Sequence, residues 1–238
     1  MSYENYERAQ GWNEGDFGAF REEQSAWFEA ELQGTLAPVV GALRVLDIGF
    51  GNGSFMGWAR SRGWDCEGCE VNTRLVERAR QHGFQAAATL EELASLPGWQ
   101  SYDLITAFDV LEHIDRDALV SFLVSVRKLC KPQTLLLFRF PNGDNPFSAP
   151  VQNGDVTHRT AIGQAMVRQV AELAEFDIVR LENPKIALRG ASLARKAGVW
   201  IGGPLRRLLG AFIRHLFMAG MPVVFTGNLV AVLRPRRR

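Results

Sequence analysis

From about residue 43 to residue 182, short apolar runs alternate with amphipathic stretches, a rhythm that predicts repeated βαβ units. The apolar runs are the one closing on Asp47, Trp64 to Glu70, Phe84 to Ala88, Asp103 to Phe108, Thr134 to Phe140 and Phe176 to Leu181, with a last strand over Val223 to Leu233. Helical periodicity covers Ser54 to Arg62, Thr73 to His82, Leu90 to Leu96 before Pro97-Gly98, Arg116 to Leu129 ahead of Pro132, and Ile162 to Ala174. Nearer the start, Phe20 to Leu36 reads as a helix ended by Pro38, behind a polar stretch studded with Tyr3, Tyr6, Trp12 and Phe17. Prolines and Asn-rich turns after Phe140 predict irregular structure through about Gln152, and a loop of that length in a compact domain is usually functional. The order fits an α/β fold: a parallel sheet with helices on both faces and an antiparallel edge hairpin.

Between the last two predicted strands lies an insertion over residues 183–221. In it Leu205, Leu208, Leu209, Phe212, Ile213, Leu216 and Phe217 recur at helical spacing as one apolar stripe, with Arg207 and Arg214 opposite. The segment is too short and too charged to span a bilayer. Two readings stay open: a lid helix packed on its own domain or on a second subunit, and a basic amphipathic helix lying in an anionic membrane interface. The organisation expected is an entry segment over 1–40, a core over 41–182, the insertion over 183–221, and a last strand with a basic tail over 222–238.

Charge sharpens the picture, because the net +1 hides a split. No Asp or Glu follows Glu182, whereas eleven Lys and Arg do; the other sixteen basic residues face all 26 acids, a net of −10 for residues 1–182. A cationic segment on an anionic body points to an anionic partner surface. With 47% hydrophobic residues in 238, the chain can bury one sizeable α/β core. Three cysteines predict a reducing, cytoplasmic setting, and the Cys66-x-x-Cys69 pair reads as strand packing. The polar, acidic start MSYENYERAQ is unlike a secretory signal, so the expected location is the cytoplasm, with peripheral contact at the inner membrane through 183–221.

The chemistry begins at VLDIGFGNGSF, Val45 to Phe55, an apolar run ending in an acid and then Gly-x-Gly-x-Gly: a strand turning tightly into a helix. Gly49, Gly51 and Gly53 allow the turn and a close ligand approach, with Asp47 at the strand end. The spacing is not the GxGxxG of dinucleotide folds, and there is no Gly-Lys-Ser/Thr for a triphosphate. Glu70, seventeen residues after Gly53, closes the second strand where an acid can accept bonds from a ribose diol. A third landmark, DLITAFDVLEHI, runs from Asp103 to Ile114.

Together these motifs resemble the class I S-adenosylmethionine-dependent methyltransferases, in particular the ubiquinone-biosynthesis O-methyltransferase branch, over roughly Leu43 to Asn183. The resemblance implies a Rossmann-like seven-stranded sheet, with the helical insertion before the last strand. It implies S-adenosylmethionine as cofactor, with Asp47, Gly49, Phe50, Gly51 and Gly53 at its methionine and ribose end. Glu70 would take the ribose hydroxyls, Asn72 help at the adenosine and Phe108 lie beside it. Phe50 departs from the small residue usual in that loop.

For the acceptor, Asp109, Glu112 and His113 are spaced to share one side of a helical turn, and His158 joins from the long loop. Carboxylates with imidazoles suit a divalent ion such as Mg²⁺ or Mn²⁺, a pattern similar to the metal site of small-RNA 2′-O-methyltransferases. Without a metal, His113 or His158 is the candidate general base beside Asp109; a purely structural role is the third reading. His82 and His215 are assigned nothing. The LEHI turn, the PN…GDVTH loop and the basic tail resemble methyltransferases of bacterial surface-polysaccharide clusters, which implies a sugar hydroxyl of a glycan or lipid-linked saccharide as acceptor. A lipophilic or aromatic hydroxyl such as a quinone precursor is the alternative, followed by RNA and a non-catalytic cofactor-binding subunit. Nucleic acid is disfavoured because the tail lacks interleaved stacking aromatics.

Overall fold

A computed structural model describes Trp12, residues 14–33, 41–95, 100–217, 219 and 225–237. Tyr3, Tyr6, Pro38, Pro97-Gly98 and the Val223 end of the last strand lie outside the described residues. Seven strands form one sheet: β1 (Arg44–Ile48), β2 (Asp65–Cys69), β3 (Gln85–Ala87), β4 (Tyr102–Phe108), β5 (Cys130–Pro141), β6 (Phe176–Glu182) and β7 (Asn228–Pro235). Their order is β3-β2-β1-β4-β5-β7-β6. The first five run parallel, and β7 inserts antiparallel between β5 and β6. This is the expected Rossmann-like α/β sheet with its antiparallel hairpin. Because the chain reverses direction of travel across the sheet at β1 and β4, the carboxyl ends of those strands open onto one crevice.

Helices cover both faces: α1 (Glu22–Leu32), α2 (Ser54–Ser61), α3 (Thr73–Gln81), α4 (Leu90–Ala94), α5 (Leu119–Arg127), α6 (Ala149–Asn153), α7 (Gln164–Leu173) and α8 (Leu193–Phe217). Alternation along the strands divides the core. Val45, Cys66, Leu104, Leu137 and Val232 face α1, α2 and α3; Leu46, Cys69, Ile105, Phe138 and Leu233 face α5 and α7. Cys66 and Cys69 therefore point to opposite faces, and burial pushes Cys69 up to about 12 and Cys66 well above its usual range, so both stay inert thiols.

Three expectations need correction. The stretch after Phe140 is not wholly irregular: a 3₁₀ turn (Pro146–Ser148) leads into α6, because Pro146 and Pro150 stand near the starts of these short helices, where no amide hydrogen is needed. The helix expected from Arg116 opens as a 3₁₀ turn (Arg116–Ala118) before α5 begins. Finally, α8 is longer than its stripe, running through Pro204, and none of its residues is buried. Its apolar stripe is exposed and is not buried against the described part of its own domain.

What holds the segment before α8 is electrostatic. Arg180 reaches the fully buried Glu31 of α1 at 2.7 Å, Arg189 reaches Glu29 at 2.8 Å, and Arg195 pairs with Glu23. The Lys185 amide also donates to Glu31. Thus α1 is clamped between the core and the insertion.

Candidate functional site

A cleft of about 1760 Å³ opens at the carboxyl ends of β1, β2, β4 and β5. That exceeds the ~300–1,000 Å³ of a single-ligand pocket, so it has room for two reactants side by side. Every residue expected at the cofactor and acceptor ends except Gly53 lines it.

The β1 side is built from the glycine turn. Gly49, Gly51 and Gly53 have φ of 67°, 53° and 71°, the left-handed region where a Cβ is penalised. Space is excluded too: a Cβ on Gly49 would come within 2.4 Å of Val110, and one on Gly53 within 2.6 Å of Phe17. Phe50 points its ring into the core, where a Cβ at Gly68 would meet it at 2.4 Å. The absent side chain at Gly68 is what accommodates the large residue in this loop.

Asp47 is buried at the end of β1 and accepts a hydrogen bond from Thr106 Oγ1 at 2.8 Å. Burial, with the Glu70 charge adding to it against the Thr106 bond, pushes its carboxyl from 3.8 to about 7. Glu70, just past β2, accepts from the amides of Asn72 at 3.0 Å and Gly51 at 3.3 Å, so it braces the turn while facing the cleft. Carboxylate oxygens keep further acceptor capacity for a diol. Asn72 caps α3 by accepting from the Arg74 amide at 3.1 Å.

The opposite wall carries residues that the sequence patterns did not single out. Trp27 and Phe28 of α1 pack on Phe108 at centroid distances of 5.1 and 5.8 Å, and Arg139 of β5 lies over Trp27 at 4.7 Å. Register placed Arg139 there: it is the β5 partner of Phe108. Amphipathic periodicity hid Trp27 and Phe28, since α1 mixes buried and polar positions with no strong stripe.

The acidic-imidazole cluster forms in part. Past β4 the chain makes a 3₁₀ turn over Leu111–His113, not an α-turn, after Asp109 adopts φ 57°. The Glu112 carbonyl accepts from the amides of Arg159 at 2.7 Å and Thr160 at 3.1 Å, which pins the long loop and brings in His158. Glu112, His113 and His158 then place ligand atoms within 4.8 Å of one another. Asp109 stays outside this trio: Arg139 takes its carboxylate, with Nε at 3.1 Å from Oδ1.

Glu112 is buried with neither carboxylate oxygen hydrogen-bonded, and burial together with the Asp109 charge raises it from 4.5 to about 8. Such a group is either protonated or awaits a cation. In neutral His158 the hydrogen sits on Nδ1, 2.8 Å from the Gln152 carbonyl that can only accept, leaving the Nε2 lone pair 3.9 Å from Glu112. The Thr157 hydroxyl donates to Asp155 at 2.5 Å, so it accepts from Nδ1 of His113 at 3.0 Å and leaves that Nε2 lone pair open as well. Burial lowers His113 below 6.5, keeping it neutral. Two imidazole nitrogens and one orphaned carboxylate fit a divalent cation; oxygen-seeking Mg²⁺ suits the set less well than Mn²⁺.

Comparison with known proteins bears on the fold and the family. A family described as "Methyltransferase domain" matches residues 15–180. A ubiquinone biosynthesis O-methyltransferase of Hahella chejuensis (strain KCTC 2396) is 30% identical over 102 residues, 40% of this chain and 42% of that protein. One of Bordetella avium (strain 197N) is 33% identical over 95 residues, 37% of each. The chain thus spans about two-fifths of the length of the curated relatives it matches. Among solved structures, a SAM-dependent methyltransferase from Archaeoglobus fulgidus superposes with TM-score 0.63 at 19% identity, covering 98% of this chain and all of that one. Magnesium protoporphyrin IX methyltransferase from Synechocystis PCC 6803, with SAH bound, gives 0.58 at 15%, covering 98% and 94%.

Proposed function

The chain belongs to the methyltransferase-domain family and is a class I S-adenosylmethionine-dependent methyltransferase, and from that premise we propose that it methylates a hydroxyl oxygen of a glycan or lipid-linked saccharide. The observation that carries the oxygen acceptor is the unfilled base position: two imidazole lone pairs facing a buried carboxylate across the cleft from the glycine turn. Methyl transfer to a hydroxyl is an in-line displacement that needs alignment and the removal of one proton. The glycine turn, Asp47 and Glu70 hold the cofactor on the β1–β2 side, and Phe108 with Trp27 walls the line of transfer. Nε2 of His158 or His113 accepts the hydroxyl proton.

A divalent ion held by Glu112, His113 and His158 would lower the pKa of a bound hydroxyl. In that case the Nε2 lone pairs of His113 and His158 would be taken up by the ion, and these residues would hold it and orient the acceptor instead of serving as the base. Asp109 and Arg139 form a polar wall beyond Phe108, with Gln24, Asp155 and Asn228 also lining the cleft. That lining matches a hydroxyl-rich acceptor. One finding favours a phenolic acceptor instead: the partial relatives are named as ubiquinone-biosynthesis enzymes, and the aromatic wall would take a flat ring. We place the enzyme in the cytoplasm, peripheral to the inner membrane; no helix among the described residues is long and apolar enough to cross one.

The test is transfer of labelled methyl from S-adenosylmethionine into an envelope extract, fractionated into glycan, lipid, nucleic acid and protein, with and without EDTA. Label in saccharide or lipid-linked saccharide supports the acceptor. Label confined to a quinone-like lipid or to RNA overturns it, and loss of label with EDTA assigns the metal.

A further inference from the structure

Helix α8 is the element the methyl-transfer chemistry leaves unused, and its orientation is informative. Ile201, Leu205, Leu208, Leu209, Phe212 and Leu216 lie on one side of the helix and are 49–75% exposed. The partly covered positions of α8 are Lys196, Val199, Gly202, Gly203, Gly210 and Ile213, so Ile213, counted in the stripe from its spacing, sits at its edge and is better covered than the rest. One point of this helix comes close to the rest of the chain: a Cβ on Gly210 would sit 3.2 Å from Phe225. So the helix leaves its apolar stripe exposed, the reverse of a helix completing a core.

From this we infer that α8 is a docking surface for an anionic lipid bilayer, lying in the interface with the stripe toward the acyl chains. Charge selects the occupant. Lys196, Arg207 and Arg214 lie on the side of the helix away from the stripe, so stripe and cations form the two faces of a basic amphipathic helix, and residues 183–238 contain no acid. A second copy meeting it stripe to stripe would bury the apolar residues but leave these cations on the outer faces uncompensated. An anionic lipid surface compensates them while burying the stripe, and the long arginine stems can extend to headgroup level. An exposed apolar face backed by a face of one charge sign is the feature a helix lying in such a surface requires.

The placement also connects to the cleft, a link that rests on the methyltransferase reading. Arg189 and Arg195, at the base of α8, hold Glu29 and Glu23 of α1, and α1 supplies Trp27 and Phe28 to the cleft. A bilayer gripped by α8 therefore lies beside the helix that walls the acceptor, which suits an acceptor carried on a lipid.

The experiment is co-sedimentation of the full chain with vesicles of phosphatidylglycerol and phosphatidylcholine, against pure phosphatidylcholine, at fixed salt. Binding should need the anionic lipid and weaken as salt rises. Arg207→Glu with Arg214→Glu should lower it by at least about 25-fold, roughly fivefold for each cation lost. Leu208→Asp with Phe212→Asp should abolish it; both residues are exposed, so melting temperature and S-adenosylmethionine affinity should hold. Equal binding to both lipids, no binding, insensitivity to either double variant, a stripe-dependent dimer in sedimentation, or tighter binding to polynucleotide than to vesicles would each overturn the inference. Because cofactor affinity is measured in parallel, a chain that binds vesicles but no cofactor sinks the enzyme reading alone, and the converse sinks only the surface.

Discussion

Asp47 offers the sharpest link between stability and function. It is a nearly fully buried carboxyl whose ionised form is opposed by burial and by the Glu70 charge, with one hydrogen bond from Thr106 in compensation. Its pKa rises from 3.8 unfolded to about 7 folded. A raised carboxyl means the native state holds the proton longer than the unfolded state. The stability it allows is therefore complete below about pH 4 and is lost as pH climbs through 7. Roughly 3 pKa units at 1.36 kcal/mol each give a cost of about 4 kcal/mol above pH 7 in the ligand-free protein. Asp47→Asn keeps the acceptor oxygen for Thr106 and removes the charge. It should stabilise the cofactor-free chain at pH 8 by up to about 4 kcal/mol, on the order of 10 °C in melting temperature for a chain of this size. The gain should shrink to about 1.5 kcal/mol at pH 5 and vanish below pH 4. The same variant should bind S-adenosylmethionine at least about tenfold more weakly, since it forfeits a charge-assisted bond worth ~1.5–3 kcal/mol. The assay is thermal melting from pH 5 to 8 on cofactor-stripped protein, paired with calorimetric titration of cofactor. Parallel pH profiles for the two proteins, or a variant less stable at pH 8, would refute the reasoning.

Three further outcomes are expected. His158→Ala should lower turnover by about 10²-fold or more while leaving cofactor affinity within about threefold; loss of cofactor binding would make His158 a structural loop residue. Gly68→Ala should cost about 1–3 kcal/mol by denaturant unfolding, because its Cβ would strike the Phe50 ring, and pairing it with Phe50→Ala should recover part of the loss. A thiol reagent applied to the native protein should leave Cys66 and Cys69 unmodified, since both are buried and held protonated, and label them only after unfolding.

The sequence by itself determined whatever depends on local chemistry. Apolar runs of period two and helical runs between them set the sheet and its covering helices, because burial on one face repeats with the geometry of each element. Positive φ at Gly49, Gly51 and Gly53 was likewise legible, since only glycine tolerates that turn cheaply. Asp47 and Glu70 were readable because strand ends fall where apolar runs stop. Tertiary structure alone decided the rest, because it depends on which distant segments meet. Arg139 reached Asp109 through the register of β5 on β4, which withdrew Asp109 from the trio of Glu112, His113 and His158. His158 arrived through amides donated to the Glu112 carbonyl, contacts that no periodicity encodes. Periodicity showed that α8 has an apolar side but not whether that side is covered; the packing of the rest of the chain left it exposed. A stripe fixes what a helix can bury, and only the packing of the whole chain fixes what remains for it to bury against.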